Sequence, residues 1–142
     1  MILLPAALIR RIGIVAEEAY PEECCGLLIG FQEPDGQVRV SEIAESSNVA
    51  PPPRRNRFEV DPALRFAAMR RLRDGRDQIV GHYHSHPDGP AEPSQHDAAM
   101  AYEPELLWLI VAVTAGAAGE LEAFRYDPWI DQFRRVPITR VD

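Results

Sequence analysis

The feature that most constrains the fold is a group of polar residues that ends a largely apolar segment: His84-Ser85-His86-Pro87, followed by Ser94 and Asp97. The two histidines stand two positions apart, so an extended chain directs both imidazoles to the same face of a strand. Asp97 falls in the first turn of a predicted helix, and the loop before it can fold its carboxylate back to that face. The pattern predicts a strand, a loop and a short helix whose polar side chains converge.

Two imidazoles and one carboxylate form a ligand set suited to zinc, which binds histidine nitrogens at about 2.0–2.1 Å. With His84, His86 and Asp97 as ligands, the fourth position of the tetrahedron remains for a water, as in catalytic rather than structural zinc sites. Zinc lowers the pKa of such a water to about 7, and a carboxylate base must then take its proton. The motif favours one catalytic Zn²⁺ and a hydrolytic reaction.

Structural interpretations of the same residues stay open. Ser94-x-x-Asp97 is also a capping box, with Asp in place of Glu, and such a box stabilises a helix N-terminus without any catalytic role. The two roles are compatible. We expect His82 on the opposite strand face, where it packs or supports a ligand, and His96 on exposed helix surface.

Hydrophobic periodicity predicts an α+β fold, a mixed β-sheet flanked by helices. Helices are expected over residues 6–19, from the N-cap Asp61 to about Arg73, and from Ser94. Their inward residues are predicted to be Leu8, Ile12, Val15, Ala16 and Ala19 in the first helix, and Leu64, Ala67, Ala68 and Leu72 in the second. Strands are predicted over residues 25–29, 38–43, 78–84, 106–113 and 121–126, with a final edge strand over 133–138.

Length and charge limit the classes of function. The chain has 142 residues, 46% of them hydrophobic, which predicts a single domain over residues 1–142. A net charge of −7 disfavours a nucleic-acid partner. Two basic runs, Arg54-Arg55-Asn56-Arg57 and Arg70-Arg71-Leu72-Arg73, are interpreted as solvated surface, with docking of an acidic partner as the alternative.

The cysteines and the N-terminus indicate a compartment. Cys24 and Cys25 are adjacent, and neighbouring cysteines pair poorly because disulfide geometry is demanding. The apolar start of the chain is short and is interrupted by Arg10-Arg11, so neither a signal peptide nor a membrane span is predicted. We expect a reducing, cytoplasmic location and a packing role for both thiols.

A second block strengthens the motif: Glu22-Glu23-Cys24-Cys25 precedes Gly26-Leu27-Leu28-Ile29-Gly30. Together with His84-Ser85-His86-Pro87, Ser94 and Asp97 it resembles the JAMM (MPN-plus) zinc metallopeptidases, which carry a Glu shortly before a Gly-hydrophobic-hydrophobic-x-Gly strand. The blocks stand in the family's order, so the resemblance covers nearly the whole chain. It implies an MPN/JAMM-like fold with layers similar to those of cytidine deaminases.

The resemblance also implies a role for each matching residue. It makes His84, His86 and Asp97 the zinc ligands, and Glu23 the general base that passes a proton to the leaving group. It makes Ser94 a hydrogen-bond donor to the developing oxyanion. Glu22 competes with Glu23 for the role of base, but Glu23 has the family's spacing to the glycine block.

Family members act on the C-terminal tails of ubiquitin-like proteins. The short segment between Asp97 and Leu106 leaves no room for large insertions, so the chain resembles the compact prokaryotic type. The resemblance implies a partner that is a ubiquitin-like or sulfur-carrier protein with a Gly-Gly tail. Such a tail suits a narrow groove, and residues 46–60 are the candidate for its wall. The sequence does not distinguish a monomer from a homodimer.

Two other classes are alternatives. One is a non-catalytic MPN scaffold that binds partner proteins, although such modules have typically lost the metal ligands that are all present here. The other is a RadC-like DNA-repair-associated protein, which shares a related His-x-His-Pro signature but carries an added helical DNA-binding region. Tight zinc binding without hydrolysis would favour the scaffold, and salt-sensitive DNA binding would favour the second class.

Overall fold

The computed structural model describes residues 1–142 and has the predicted α+β architecture. Three helices accompany eight strands that form one sheet. In chain order, the elements are β1 (Ile2–Pro5), α1 (Ala6–Ala19), β2 (Cys25–Gln32), β3 (Val38–Ser46), α2 (Pro62–Arg71), β4 (Gln78–Pro87), α3 (Gln95–Ala99), β5 (Leu107–Thr114), β6 (Ala117–Asp127), β7 (Gln132–Val136) and β8 (Ile138–Val141).

The sheet is mixed, with strand order β7-β6-β5-β4-β2-β3-β1-β8. The central pair β4 and β5 is parallel, as are the pairs that β1 makes with β3 and β8, and the remaining pairs are antiparallel. Strands β7 and β8 lie at opposite ends of this order, yet only Pro137 separates them in sequence. The sheet therefore curls until its two edges approach each other.

The C-terminal prediction was wrong in part. A single edge strand was expected over residues 133–138, but the chain forms β7 and β8 on opposite edges. Pro137 cannot donate to a strand ladder, and its carbonyl accepts a hydrogen bond from the Ile2 N–H at 2.8 Å. The N-terminal partner β1 was not predicted, although Ile2 and Leu4 are buried with the alternation of a strand.

Helix α1 covers one face of the sheet. Ile12 and Ala16 are fully buried there, and Leu8, Val15 and Ala19 pack around them as predicted. The long apolar strand β5 is buried on both faces because its odd-numbered residues face α1 and its even-numbered residues face the other side. That other face carries a smaller cluster of Ala91, Trp108, Ile110, Ala112 and Phe124.

Helix α2 begins as predicted and contacts chiefly β4. The Asp61 carboxylate accepts a hydrogen bond from the Ala63 N–H at 2.9 Å, and Pro62 occupies the first turn. Ala68 is buried, whereas Ala67, predicted to face inward, is exposed. The helix lies against the sheet by a narrow stripe only, so a residue one position away from Ala68 already faces solvent.

Candidate metal centre

Strand β4 supplies the first two residues of the site. Its odd-numbered Tyr83 joins the core under α1, while the even-numbered His84 and His86 lie on the opposite face. Both histidines are buried, and His84 is 0% exposed. Because β4 is central, with β2 and β5 on either side, its backbone is held in register at His84 by Cys25 and Ile110.

Three ligand atoms converge at this point. His84 Nε2 lies 3.0 Å from His86 Nε2 and 3.2 Å from Asp97 Oδ2, and His86 Nε2 lies 3.1 Å from the same oxygen. Ligands of a tetrahedral ion with bonds of about 2.0–2.1 Å are separated by about 3.3 Å. The structure thus brings together the three sequence-predicted ligands at a spacing that fits a metal cation.

The hydrogen bonding of His86 supports that fit. Its Nδ1 lies 2.8 Å from the carbonyl oxygen of Pro90, which can only accept, so Nδ1 carries the proton. In the neutral imidazole, Nε2 then directs a lone pair toward His84 and Asp97. Burial lowers the pKa of His84, which keeps that ring in the neutral form that binds metals.

Asp97 is positioned by a capping box at the start of α3. Its Oδ2 accepts a hydrogen bond from the Ser94 N–H at 2.9 Å, and its own N–H donates to Ser94 Oγ at 3.1 Å. Burial alone would raise the pKa of Asp97, but the Ser94 N–H, together with a neighbouring imidazole whenever that ring is protonated, holds it well below the usual range. The capping interpretation is therefore confirmed, and the box holds the Asp97 carboxylate beside the two imidazoles.

Glu23 lies at the same site and is 4% exposed, whereas Glu22 is exposed as expected. The Glu23 backbone N–H donates to the Arg54 carbonyl at 2.8 Å, and the Glu23 backbone carbonyl accepts from Asn48 Nδ2 at 3.0 Å. The carboxylate atom Oε1 is buried without a hydrogen-bond partner. Burial raises the pKa of this carboxyl to about 8, a value suited to a group that exchanges protons near neutral pH.

Ser94 stands at the rim of the site and is exposed. Its hydroxyl oxygen accepts from the Asp97 N–H, which leaves the hydroxyl proton available for donation. One side chain can thus cap α3 and present a donor to a molecule in the site.

The expected orientation of His82 was wrong. Residues 82, 84 and 86 share one strand face because side chains alternate with a period of two. The His82 ring centroid lies 4.4 Å from that of Trp108 and 5.6 Å from that of Phe58, on the same side as His84. Burial lowers its pKa to about 3, so it is a neutral packing group. His96 is exposed, as predicted.

Sequence reasoning missed two supporting residues in the segment 46–60. The Phe58 ring stacks on His84, and Asn48 holds the segment together by donating to the carbonyls of Glu23 and Arg57 and accepting from the N–H groups of Ala50 and Glu59. A lone aromatic residue after a run of prolines and arginines is the only sequence signal for Phe58. Asn48 has none.

Two cavities adjoin the residues of the candidate centre. A polar cavity of about 330 Å³ opens onto Glu23, His86 and Ser94. A more apolar cavity of about 340 Å³ is lined by Phe58, His82 and other residues of α2, β4 and the segment that leads to β5. The candidate centre therefore has chemically different surroundings on its two sides.

The family model for prokaryotic homologs of the JAB domain matches residues 5–127. The chain belongs to this family. The JAB family includes the JAMM-type proteins that the two sequence blocks resemble, so that prediction is confirmed.

Relatives of the JAB chain carry names that agree with the predicted hydrolase. The chain is 36% identical over 120 residues to a desampylase of Haloferax volcanii, and the aligned region covers 84% of this chain and 78% of the desampylase. The chain is 26% identical over 125 residues to a CysO-cysteine peptidase of Mycobacterium bovis, and the aligned region covers 88% of this chain and 82% of the peptidase. A JAB1/MPN domain protein of Archaeoglobus fulgidus has the same fold, with a TM-score of 0.63 at 18% identity and full coverage of both chains.

Two further sequence expectations have a structural counterpart. Cys24 and Cys25 are buried and unpaired, so the expected packing role is confirmed for both thiols. Every helix falls short of the length and apolar character that crossing a membrane requires.

Proposed function

We propose that this chain is a zinc-dependent hydrolase that cleaves after the Gly-Gly terminus of a ubiquitin-like or sulfur-carrier protein. The observation that carries the proposal is the convergence of His84 Nε2, His86 Nε2 and Asp97 Oδ2 within 3.2 Å of one another. The names of the desampylase and CysO-cysteine peptidase relatives support the substrate class.

His84, His86 and Asp97 are the proposed zinc ligands, one Zn²⁺ per chain. Two neutral imidazoles and one carboxylate suit zinc better than magnesium or calcium, which prefer oxygen ligands. Zinc, when bound, supplies Lewis acidity that polarises the substrate carbonyl and makes water acidic enough to lose a proton at neutral pH. The Pro90 carbonyl and the Ser94 N–H orient His86 and Asp97 for this role.

Glu23 is the proposed general base and acid. It takes a proton from the attacking water, whose oxygen adds to the carbonyl carbon, and gives a proton to the leaving nitrogen as the C–N bond breaks. Its buried, unpartnered Oε1 and its raised pKa suit both transfers. Ser94 donates its free hydroxyl proton to the oxyanion that develops on the carbonyl oxygen.

The segment 46–60 is the proposed wall of the groove for the Gly-Gly tail. It contacts the site at two points, through the Arg54 carbonyl that holds Glu23 and through Phe58 against His84. Glycines lack side chains, so a tail of two glycines passes close to a metal in a narrow channel. We also propose that residues 1–142 act as one domain, and that they act in the cytoplasm.

Intact-mass spectrometry of a cleavage reaction tests the proposal. The zinc-loaded protein and its Glu23→Gln variant are mixed with the ubiquitin-like sulfur carriers of the same organism. Each carrier is extended past Gly-Gly by cysteine, by a short peptide, or by an isopeptide-linked lysine. Trimming to Gly-Gly by the wild type alone supports the proposal. Zinc bound in both proteins without trimming of any carrier contradicts it and favours a scaffold.

A further inference from the structure

The polar cavity beside the candidate metal centre has one lining side chain with a permanent positive charge, Arg55. Glu23, His86 and Ser94 line the same cavity, so Arg55 faces the space in which the proposed reaction takes place. The apolar cavity does not include Arg55, and the arginine that lines it, Arg65, already donates to the Glu103 carboxylate at 2.7 Å. The two cavities therefore differ in whether their arginine is already paired.

The guanidinium of Arg55 is positioned but its donors are unused. Its Nη2 lies 3.8 Å from Asp88 Oδ2, too far for a hydrogen bond, and its side chain is 63% exposed. Asp88 is itself held in place, since its Oδ2 accepts from the Tyr20 hydroxyl at 2.6 Å and its Oδ1 from the Ala115 N–H at 2.8 Å. Asp88, which adjoins the lining residues Pro87 and Gly89, thus attracts Arg55 without consuming its hydrogen bonds.

The proposed base indicates which part of a substrate meets Arg55. This step rests on the proposed function, in which Glu23 delivers a proton to the leaving nitrogen. Glu23 lines the polar cavity, so the leaving group occupies it. In a C-terminal amino acid, the α-carboxylate is separated from that nitrogen by the α-carbon alone. In an isopeptide, the leaving nitrogen is followed by an aliphatic lysine chain without a carboxylate at that distance.

We propose that Arg55 is a specificity-determining residue that binds the free C-terminal carboxylate of the leaving group. A guanidinium binds a carboxylate through two parallel hydrogen bonds, a geometry that a single point charge does not reproduce. The preferred substrate is then a carrier extended past Gly-Gly by a single C-terminal amino acid, whose carboxylate lies one carbon from the leaving nitrogen. A carrier joined to a lysine side chain is the poorer substrate.

Steady-state kinetics with paired substrates test this assignment. Carriers ending in Gly-Gly-Ala are prepared with a free carboxylate and with a carboxamide, and are given to the zinc-loaded full chain. The wild type is expected to show a KM about tenfold lower for the carboxylate, the size of one charged hydrogen-bond pair. Arg55→Ala is expected to raise that KM to the carboxamide level, so that the ratio of the two KM values falls to about one.

Two further variants serve as controls. Arg55→Lys keeps the charge and loses the paired geometry, so its KM falls between those of the wild type and Arg55→Ala. Arg73→Ala removes an equal charge from exposed surface beyond the end of α2 and leaves both substrates unaffected. Equal KM values for both substrates in the wild type, or an equal loss on both in Arg55→Ala, would overturn the assignment.

A binding measurement separates this inference from the proposed function. Calorimetry with the zinc-loaded Glu23→Gln variant measures carrier affinity without turnover. The carboxylate form is expected to bind about tenfold more tightly than the carboxamide, with a difference that Arg55→Ala abolishes. If the wild type cleaves no carrier, the proposed function fails, and the affinity difference still decides for or against Arg55.

Discussion

The aromatic ring of Phe58 lies almost flat against the imidazole of His84, with ring centroids 4.2 Å apart and planes inclined by 16°. Metal-binding histidines are usually oriented by a hydrogen bond from the second ring nitrogen. His84 Nδ1 is buried and has no hydrogen-bond partner in the protein. Packing against Phe58, with Trp108 edge-on at 5.8 Å, therefore orients this ring.

Replacing Phe58 tests that arrangement. Phe58→Ala removes the stacked surface and lets His84 turn away, so zinc affinity is expected to fall about tenfold, as when other groups that orient a ligand are lost. Phe58→Leu keeps apolar bulk against the ring, so its loss of zinc affinity is expected to be smaller. Competition with a chromophoric chelator measures both affinities. Wild-type zinc affinity in Phe58→Ala would show that β4 alone orients His84.

The two functions of Ser94 can be separated by substitution. Ser94→Ala removes the acceptor of the Asp97 N–H and is expected to lower the free energy of unfolding by about 1 kcal/mol. Ser94→Gly also lacks the hydroxyl donor, but glycine at an N-cap costs only a few tenths of a kcal/mol, so stability largely recovers while turnover stays low. Urea denaturation and cleavage rates measure the two effects. Recovery of both in Ser94→Gly would assign Ser94 to capping alone.

Local patterns predicted the parts of the site that lie close together in sequence. The period of a strand placed His84 and His86 on one face, and the capping box placed Asp97 at the start of α3. The same period places His82 on that face as well, so the expected opposite orientation was wrong on the sequence pattern itself. Contacts between segments far apart in sequence were not predicted. Phe58 reaches His84 only through tertiary packing, and β1 pairs with β8 from the opposite end of the chain.

Gly26, the first glycine of the N-terminal block, lies so close to the Tyr83 ring that a side chain would not fit there. A Cβ built on Gly26 would lie 2.4 Å from the ring of Tyr83, which is fully buried and cannot move aside. Gly26→Ala is expected to lower the free energy of unfolding by about 1–3 kcal/mol through overpacking.

Gly13→Ala is the matched control for Gly26→Ala. A Cβ at Gly13 meets its nearest neighbour at an ordinary 3.6 Å, and alanine favours helix α1 by up to about 1 kcal/mol. Thermal unfolding is expected to shift down for Gly26→Ala and up for Gly13→Ala. An unchanged melting temperature for Gly26→Ala would contradict the packing described here.

The two thiols are expected to be unreactive in the folded protein. Burial raises the pKa of Cys24 to about 11 and that of Cys25 to about 12. At pH 8 both thiols are therefore almost entirely protonated, and the reactive thiolate fraction rises about tenfold with each pH unit toward the pKa. A disulfide reagent at pH 8 should modify both cysteines only after unfolding. Rapid modification of the native protein would place a thiol in an accessible position.

Native mass spectrometry combined with turnover tests the central claim most directly. The wild type and the variants Glu23→Gln, His84→Ala and Asp97→Ala are loaded with zinc, weighed intact, and then assayed on a carrier extended past Gly-Gly. We predict one zinc ion in the wild type and in Glu23→Gln, none in the other two, and cleavage by the wild type alone. Zinc retained in both His84→Ala and Asp97→Ala, or near-normal cleavage by Glu23→Gln, would contradict the assignment of the metal centre and its base.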